Sequence, residues 1–349
     1  MIPALPRYLK HPSAAVLALT FGLFTIFADC QKGLADDSGL QRYARTEAHM
    51  GTRFEIIAYC DSPSKCKAAM DEAFREIESL DAMLSNYKSD SELNQFCKGS
   101  PHNDYVRISK PMFEVLTQSQ QISKQTDGAF DVTIGPLTKL WRRARRQKAL
   151  PSDAKIGDAR SSVGYHAIHL DKKAEKARLT LPGMRIDLGG IAKGYAIDRA
   201  LVAMKRNGIE RTLVNGGGDV AVGKPPPGRD HWRVQVFDGT NEPRRILKLV
   251  NRAVATSGDL YQFVEIDGKR YSHLVNPKTG IGLTSFVSCT VIADNATTAD
   301  GWASAIALVG PKKGLRLVAE IPNCEATIRE RVGDTTETKS TKNYPAQSN

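Results

Sequence analysis

The sequence predicts an α+β fold with mixed, largely antiparallel sheets and packed helices, and two observations carry that expectation. Short apolar runs occur in pairs joined by charged or glycine-rich turns, as hairpins do. Stretches with apolar residues at helical spacing fall between these pairs without the strand-helix alternation of a doubly wound parallel sheet.

In chain order, "EAHMGTRFEIIAY" (47–59) reads as an early strand, and Ser64 as the cap of a helix that buries Ala69, Ala73, Ile77, Leu80 and Leu84. The segment "LSNYKSDSELNQF" (84–96) reads as turn-rich. A second helix begins near Ser109 and ends before "TDGAFDVTIGPL" (126–137), a loop with apolar anchors. "AIHL" and "ARLTL", joined by "DKKAEK", form a hairpin. A helix follows Gly190, with Ile191, Ile197, Leu201 and Met204 on one side, and stops at Asn207-Gly208. "RTLVNGGGDVAVG" supplies strand, glycine turn and strand, and after a proline-rich loop strands alternate with turns up to residue 294. A last helix covers Thr297 to Val309. Residues 36–330 thus form the domain, and 331–349, almost without apolar residues, are expected to be a flexible polar tail.

The 349 residues carry a formal net charge of +11, with 41% hydrophobic and 25% charged residues, as a globular protein does. Much of the positive excess is concentrated in "KLWRRARRQKAL" (139–150), whose plain reading is a solvated helix face. No zinc-finger spacing or RNA-binding signature accompanies it, which argues against nucleic acid. Residues 1–35 read as an export signal: Arg7, Lys10 and His11 precede the apolar run Ala14 to Ala28. Cleavage after the small residues ending at Ala35 gives a periplasmic protein, and a lipid anchor at Cys30 is the alternative. Cys60, Cys66, Cys97, Cys289 and Cys324 are an odd set without zinc-site company. Cys60 and Cys66 fit either a small disulfide loop or buried free thiols.

"RIDLGGIAKGYAID" (185–198) is the most informative stretch: apolar strand, double glycine, lysine, glycine and helix start. It lacks the spacing of a dinucleotide fingerprint, and Tyr195-Ala196 stand where a P-loop needs Lys and Ser or Thr. Its physics still suits a diphosphate, because glycines admit close backbone approach and Lys193 adds positive charge at a helix start. Four further glycine and polar islands, "LVNGGGDVAVG", "ATSGDLYQF", "YSHLVNPKTG" and "DNATTADGWASAIALVG", point to several loops converging on one site.

Taken in order, "HMGTRFEI", "LSNYKSDSEL", "DGAFDVTIGPL", "IDLGGIAKGYAID", "LVNGGGD", "ATSGD" and "YSHLVNPKTG" resemble the ApbE family, the FAD:protein FMN transferases, from about residue 47 to about 319. The resemblance implies an ApbE-like fold and a magnesium-dependent exported enzyme. Such an enzyme splits FAD and places FMN on a Thr or Ser of a partner redox protein, with release of AMP. The implied partner carries a D-G-x-x-S/T-G/A-A-T-like motif and is usually membrane-bound or exported. Carried over residue by residue, the resemblance makes His273 the base and Asp300 a catalytic metal carboxylate. Ser304 and the Gly190 carbonyl complete the magnesium ligands. Met50, Tyr87, Ala129, Phe130, Asp131, Asp187, Lys193 and Leu274 become contacts of FAD. The residue types suit such contacts, with Lys193 for phosphate, flat or soft side chains for the ring, and carboxylates for ribose or adenine donors.

The sequence departs from the family pattern at three places. Asn276 stands where aspartate is common, near His273; Ser304 stands where threonine is usual; and Gly301-Trp302 replace smaller aliphatic residues inside the last helix. A glycine there costs about 1 kcal/mol relative to alanine, so a packing reason is expected. Two alternative functions share the same site: an FAD diphosphatase releasing FMN and AMP, and a non-catalytic periplasmic flavin-binding protein.

Overall fold

A computed structural model of the chain describes residues 39–237, 245–259, 262–333 and 335–345, all within the unit Lys32–Asn349. The signal-like segment 1–35, with Cys30, lies outside the described residues.

The first strand expected from the sequence is in fact two. β1 (Gln41–His49) and β2 (Thr52–Cys60) pair antiparallel across a two-residue turn in which Met50 and Gly51 both take positive φ, 49° and 71°. Such turns match the twist of a hairpin but are strained for a side chain like that of methionine. The helix that follows, α1 (Pro63–Leu84), is capped by Ser62, whose hydroxyl accepts from Lys65 N at 3.4 Å, and not by Ser64. Proline at its first position needs no amide partner, which fixes the start there. The turn-rich segment also contains a short helix, α2 (Glu92–Lys98), capped by Ser91.

β3 (Val106–Arg107) leads to α3 (Lys110–Gln125), which starts after Ser109 as expected. Gly135-Pro136 open α4 (Gly135–Gln147), followed by α5 (Asp153–Ser161). β4 (Ile168–Asp171) and β5 (Lys176–Leu179) form the expected hairpin, to which β3 adds a third strand. α6 (Ala192–Arg206) precedes β6 (Thr212–Gly216), β7 (Asp219–Val222), β8 (Trp232–Val236), β9 (Arg245–Leu249) and β10 (Arg252–Gly258). Then come β11 (Phe263–Ile266), β12 (Lys269–Ser272), β13 (Val287–Ala293), α7 (Ala296–Val309), α8 (Pro311–Ala319), β14 (Glu325–Val332) and β15 (Thr335–Ser340).

Eight strands make one sheet in the order β1-β2-β6-β7-β10-β13-β14-β15, antiparallel at every pairing. The expected α+β class is therefore what forms. Alternation along each strand assigns its two faces. Ile56, Val214, Ala221, Ala253, Ala255 and Val291 join the core under α1, α6 and α7, while Ile57, Leu213, Val220, Val254 and Ile292 face the β8–β9 hairpin. The small residues on the first face let α6 and α7 seat close to the sheet. A third apolar cluster joins α4 and α5 to β11 and β12 through Leu137, Trp141, Ile156 and Tyr271.

The tail expectation is corrected. β15 pairs with β14 over six residues, from Thr327–Ser340 to Val332–Thr335, and Tyr344 is buried against the β8–β9 cluster. β15 is exposed along its whole length, so an edge strand held by backbone hydrogen bonds needs no apolar residues, and composition alone does not reveal it. The five described cysteines are buried free thiols, which selects that reading over a Cys60–Cys66 disulfide.

Candidate functional site

The glycine-rich loops converge on a cleft of about 770 Å³, a volume usual for small-molecule sites. Every residue proposed from the sequence lines it: Met50, Tyr87, Ala129, Phe130, Asp131, Asp187, Gly190, Lys193, His273, Leu274, Asp300 and Ser304.

Its charged floor is where α6 meets α7. Lys193, in the first turn of α6, donates to Asp219 at the start of β7 and lies 3.5 Å from Asp300 of α7. Asp300 also accepts from Gly194 N at 3.0 Å, and Asp219 from Thr256 N at 3.1 Å. Burial raises the Asp300 carboxyl above the usual carboxylate range and the Asp219 charge adds to that, while Lys193 opposes it. Lys193 is held above the ordinary lysine value by the two carboxylates in spite of its burial, so it stays protonated. The site thus presents two buried carboxylates and one shared ammonium group.

Gly194 makes this contact possible. A Cβ there would lie 2.2 Å from the Ala296 carbonyl oxygen and 2.9 Å from Asp300 Cβ. The α7 end of the floor is fixed from α6 as well: Asp198 accepts from Ala296 N at 2.7 Å and Thr297 N at 2.8 Å, capping the helix that carries Asp300 and Ser304. Ser304 bonds Ser257 at 3.3 Å, and a Cβ on Gly190 would come within 3.0 Å of its hydroxyl oxygen.

Magnesium is implied by the family pattern, and the donors suit it. Ser304 lies one helical turn after Asp300 on α7 and packs against Gly190, and the three offer oxygen donors only, with a single carboxylate among them, as a hard cation that keeps several waters requires. Among the described residues no three His, Cys, Asp or Glu side chains form a denser metal cluster.

His273, the residue after β12, lines the same cleft. Its Nδ1 lies 3.1 Å from the Gln262 carbonyl oxygen, which also accepts from His273 N at 2.9 Å. A carbonyl only accepts, so the neutral ring carries its proton on Nδ1 and keeps Nε2 as an acceptor. Loss of water contact lowers the imidazole from 6.5 to about 4, with Arg145 and Lys193 adding to the shift and Gln262 and Asp187 opposing it. Part of the ring remains open to solvent, so the direction, towards the neutral base, is what matters for chemistry. Asn276 does not take part in orienting it. Its Oδ1 accepts from Lys278 N at 2.8 Å and Thr279 N at 3.4 Å, closing its own turn.

Other proposed residues have their polar groups engaged. Asp131 is buried and accepts from Thr133 N and Oγ1 and from Tyr165 N, which fixes the loop that presents Ala129 and Phe130. Asp187 accepts from Gly189 N at 3.0 Å, Thr138 at 2.8 Å and Arg142 at 3.0 Å. Arg142 in turn lies 4.2 Å from the centre of the Tyr87 ring, a cation–π distance, and Tyr87 is 77% exposed. Sequence reasoning does not single out Asp219, Thr138, Arg142, Arg145, Ser257 or Gln262. Asp219 is within its sight, as the residue that ends the triple-glycine island; the arginines are absorbed in the solvated-face reading of 139–150.

The Gly301 departure has its packing reason. A Cβ there would come within 2.6 Å of Ile122 Cδ1, so glycine leaves room for the end of a side chain reaching across from α3.

An antiparallel α+β scaffold whose cleft holds a Lys193–Asp219–Asp300 cluster, oxygen donors for a cation and a neutral imidazole has the parts of a group-transfer enzyme. Residues 50–328 match the ApbE family. The chain is 32% identical over 309 residues to the FAD:protein FMN transferase of Haemophilus influenzae, covering 84% of this chain and 88% of that protein. It is also 32% identical over 252 residues to the FAD:protein FMN transferase of Escherichia coli strain K12, covering 70% and 71%. Among solved structures, the flavin transferase ApbE from Vibrio cholerae matches with a TM-score of 0.78 at 26% identity, over 87% of this chain and 98% of that one. The apo form of the Pseudomonas stutzeri flavinyl transferase ApbE matches with a TM-score of 0.77 at 30% identity, over 87% and 95%. The chain belongs to the ApbE family.

Proposed function

We propose that this chain transfers FMN from FAD to a serine or threonine hydroxyl of a partner protein and releases AMP. The observation that carries the reading is the pairing, across one cleft, of the Lys193–Asp300 floor with an imidazole whose free nitrogen is an acceptor. In the transfer, the acceptor oxygen forms a bond to the FMN phosphorus as the diphosphate P–O bond breaks, and AMP leaves with that bridging oxygen. His273 Nε2 takes the hydroxyl proton, for which a neutral ring with a lone pair is required. Lys193, shared with Asp219 and Asp300 at the start of α6, offers the diphosphate an ammonium donor from the floor of the cleft. Gly190, Asp300 and Ser304 are the residues that would hold magnesium, which when bound supplies further neutralisation of phosphate charge. Met50, Tyr87, Ala129, Phe130 and Leu274 offer apolar and flat surface for the flavin, and Asp131 and Asp187 shape the loops around it.

We further infer that the enzyme works after export, in the periplasm, on a redox protein there; the basic head and apolar run of residues 1–35 support this. The test is intact-mass spectrometry of an acceptor domain bearing the D-G-x-x-S/T-G/A-A-T-like motif after incubation with this protein, FAD and magnesium. A gain of one FMN, absent with His273→Ala, is expected. Release of free FMN and AMP without a mass gain would assign the chain to FAD hydrolysis, and no cleavage with retained FAD binding would assign it to flavin binding alone.

A further inference from the structure

α4 has two faces with different duties. Its inner face is fixed: Leu137 and Trp141 are buried, Trp141 Nε1 donates to the Gly280 carbonyl at 2.7 Å, and Arg142 pairs with Asp187. Arg145, one turn beyond Trp141, lines the cleft beside His273. The outer face presents Lys139, Arg143 and Arg146, with Lys148 at the C-terminal cap, all exposed. Among the described residues none of these four, nor Arg145, has a carboxylate within ion-pair distance, whereas Arg142 and Lys88, which line the cleft, are each paired. The helix contains no acidic residue. An ordinary surface helix interleaves both signs; here Arg143 bonds Gln147 at 3.3 Å and Arg146 sits in the last turn, where a cation favours the helix dipole, yet no carboxylate offsets the charge of the stripe.

We propose that the outer face of α4 is the docking surface for the acceptor protein and selects acceptors with acidic residues near the modified hydroxyl. This rests on the transferase reading above. The stripe continues into the cleft through Arg145, so an acidic segment bound along α4 delivers its neighbouring hydroxyl towards His273. A field of one sign beside a cleft raises the encounter rate of an oppositely charged partner, by about tenfold or more at low salt. An acidic protein is favoured over an anionic membrane because the stripe lies beside Arg142 and Arg145, which line the cleft where the acceptor hydroxyl must arrive.

The experiment uses two peptides with the same D-G-x-x-T-G-A-T motif, one with a polyglutamate tail and one with a polylysine tail. Transfer of FMN to each is followed with the wild-type protein and with a Lys139→Glu/Arg143→Glu/Arg146→Glu variant. Wild-type kcat/KM is expected to be about tenfold higher for the acidic peptide at low salt, and that preference should collapse at high salt. The variant should lose or invert the preference, with its dissociation constant for FAD, read by flavin fluorescence, unchanged. Equal transfer to both peptides, or a preference that survives in the variant, overturns the docking surface while leaving the transferase reading intact. If the variant instead loses binding to phosphatidylglycerol vesicles with no change in peptide preference, the surface belongs to a membrane and the proposal is wrong. Modification of neither peptide by the wild type removes the transferase reading and this proposal together.

Discussion

Replacing Gly194 by alanine tests whether the charged floor of the cleft depends on backbone packing. The added Cβ would meet the Ala296 carbonyl oxygen at 2.2 Å, its carbon at 2.6 Å and Asp300 Cβ at 2.9 Å. The first contact is more than about 1 Å inside the ~3.5 Å at which non-bonded heavy atoms pack. Neither partner is a flexible side-chain end: both are parts of helices seated on the sheet, so α6 and α7 must separate by roughly 1 Å. Overpacking of this kind costs about 1–3 kcal/mol, and in a chain of this size that lowers Tm by several degrees. The same displacement lengthens the bond from Gly194 N to Asp300, 3.0 Å in the native arrangement, and moves Asp300 away from Lys193. A misplacement of about 1 Å in catalytic groups reduces turnover by up to about a hundredfold. Thermal unfolding monitored by circular dichroism and FMN transfer to an acceptor peptide are the assays. Gly157→Ala is the control, since a Cβ at this exposed position in α5 meets nothing within 4 Å and should stabilise by about 0.5–1 kcal/mol. A Gly194→Ala protein with native Tm and native turnover would refute the close-approach argument.

Four other outcomes are expected. Asp198→Ala removes the acceptor for Ala296 N and Thr297 N at the start of α7 and should cost about 1–2 kcal/mol, measurable by urea denaturation. Trp141→Phe leaves the Gly280 carbonyl without its donor and should cost about 1–3 kcal/mol in the same assay. Because the His273 imidazole is depressed from 6.5 to about 4, it is the neutral base above that range and is protonated only as pH falls through it; the acid limb of the kcat/KM profile should therefore lie below 6.5. Arg145→Gln takes away a cation that disfavours the imidazolium, so the limb should move to higher pH, and a limb that stays in place or moves down contradicts the assignment.

The fold class is legible because hairpins and amphipathic helices leave local signals, as at α3 behind Ser109 and at the β4–β5 pair. The first hairpin reads as one strand because its turn places methionine, with no turn signature, at a positive φ that sequence statistics give to Asn, Asp or Gly. β15 escapes a sequence reading because an exposed edge strand is specified by its partner's backbone and carries no apolar pattern. At the site, Lys193 is legible from its glycine-rich strand-to-helix turn, whereas His273 and Asp300 are legible only through the ordered set of motifs that resembles the family, because a lone histidine or a helical aspartate carries no local signal of its role. Arg142 and Asp219 are not, because their roles arise from residues 45 and 26 positions away, Asp187 and Lys193, which no local pattern relates to them.

The alanines on the helix side of the sheet and the glycines of α6 and α7 answer to one requirement. Ala221, Ala253 and Ala255 let the two helices seat close, Gly194 lets the α6 backbone meet the α7 N-terminus, and Gly301 leaves room for the Ile122 side chain of α3. The close approach of Gly194 to Ala296 and the bond from Gly194 N to Asp300 then set how near the Asp300 carboxylate lies to Lys193. Two buried carboxylates around one ammonium group are costly to hold unless their geometry is enforced. It follows that a sequence with the same glycine-rich motif but larger residues on these strand faces would keep the residues of the floor and lose their spacing. The small-residue pattern around the site is thus as much a part of its chemistry as Lys193 or Asp300.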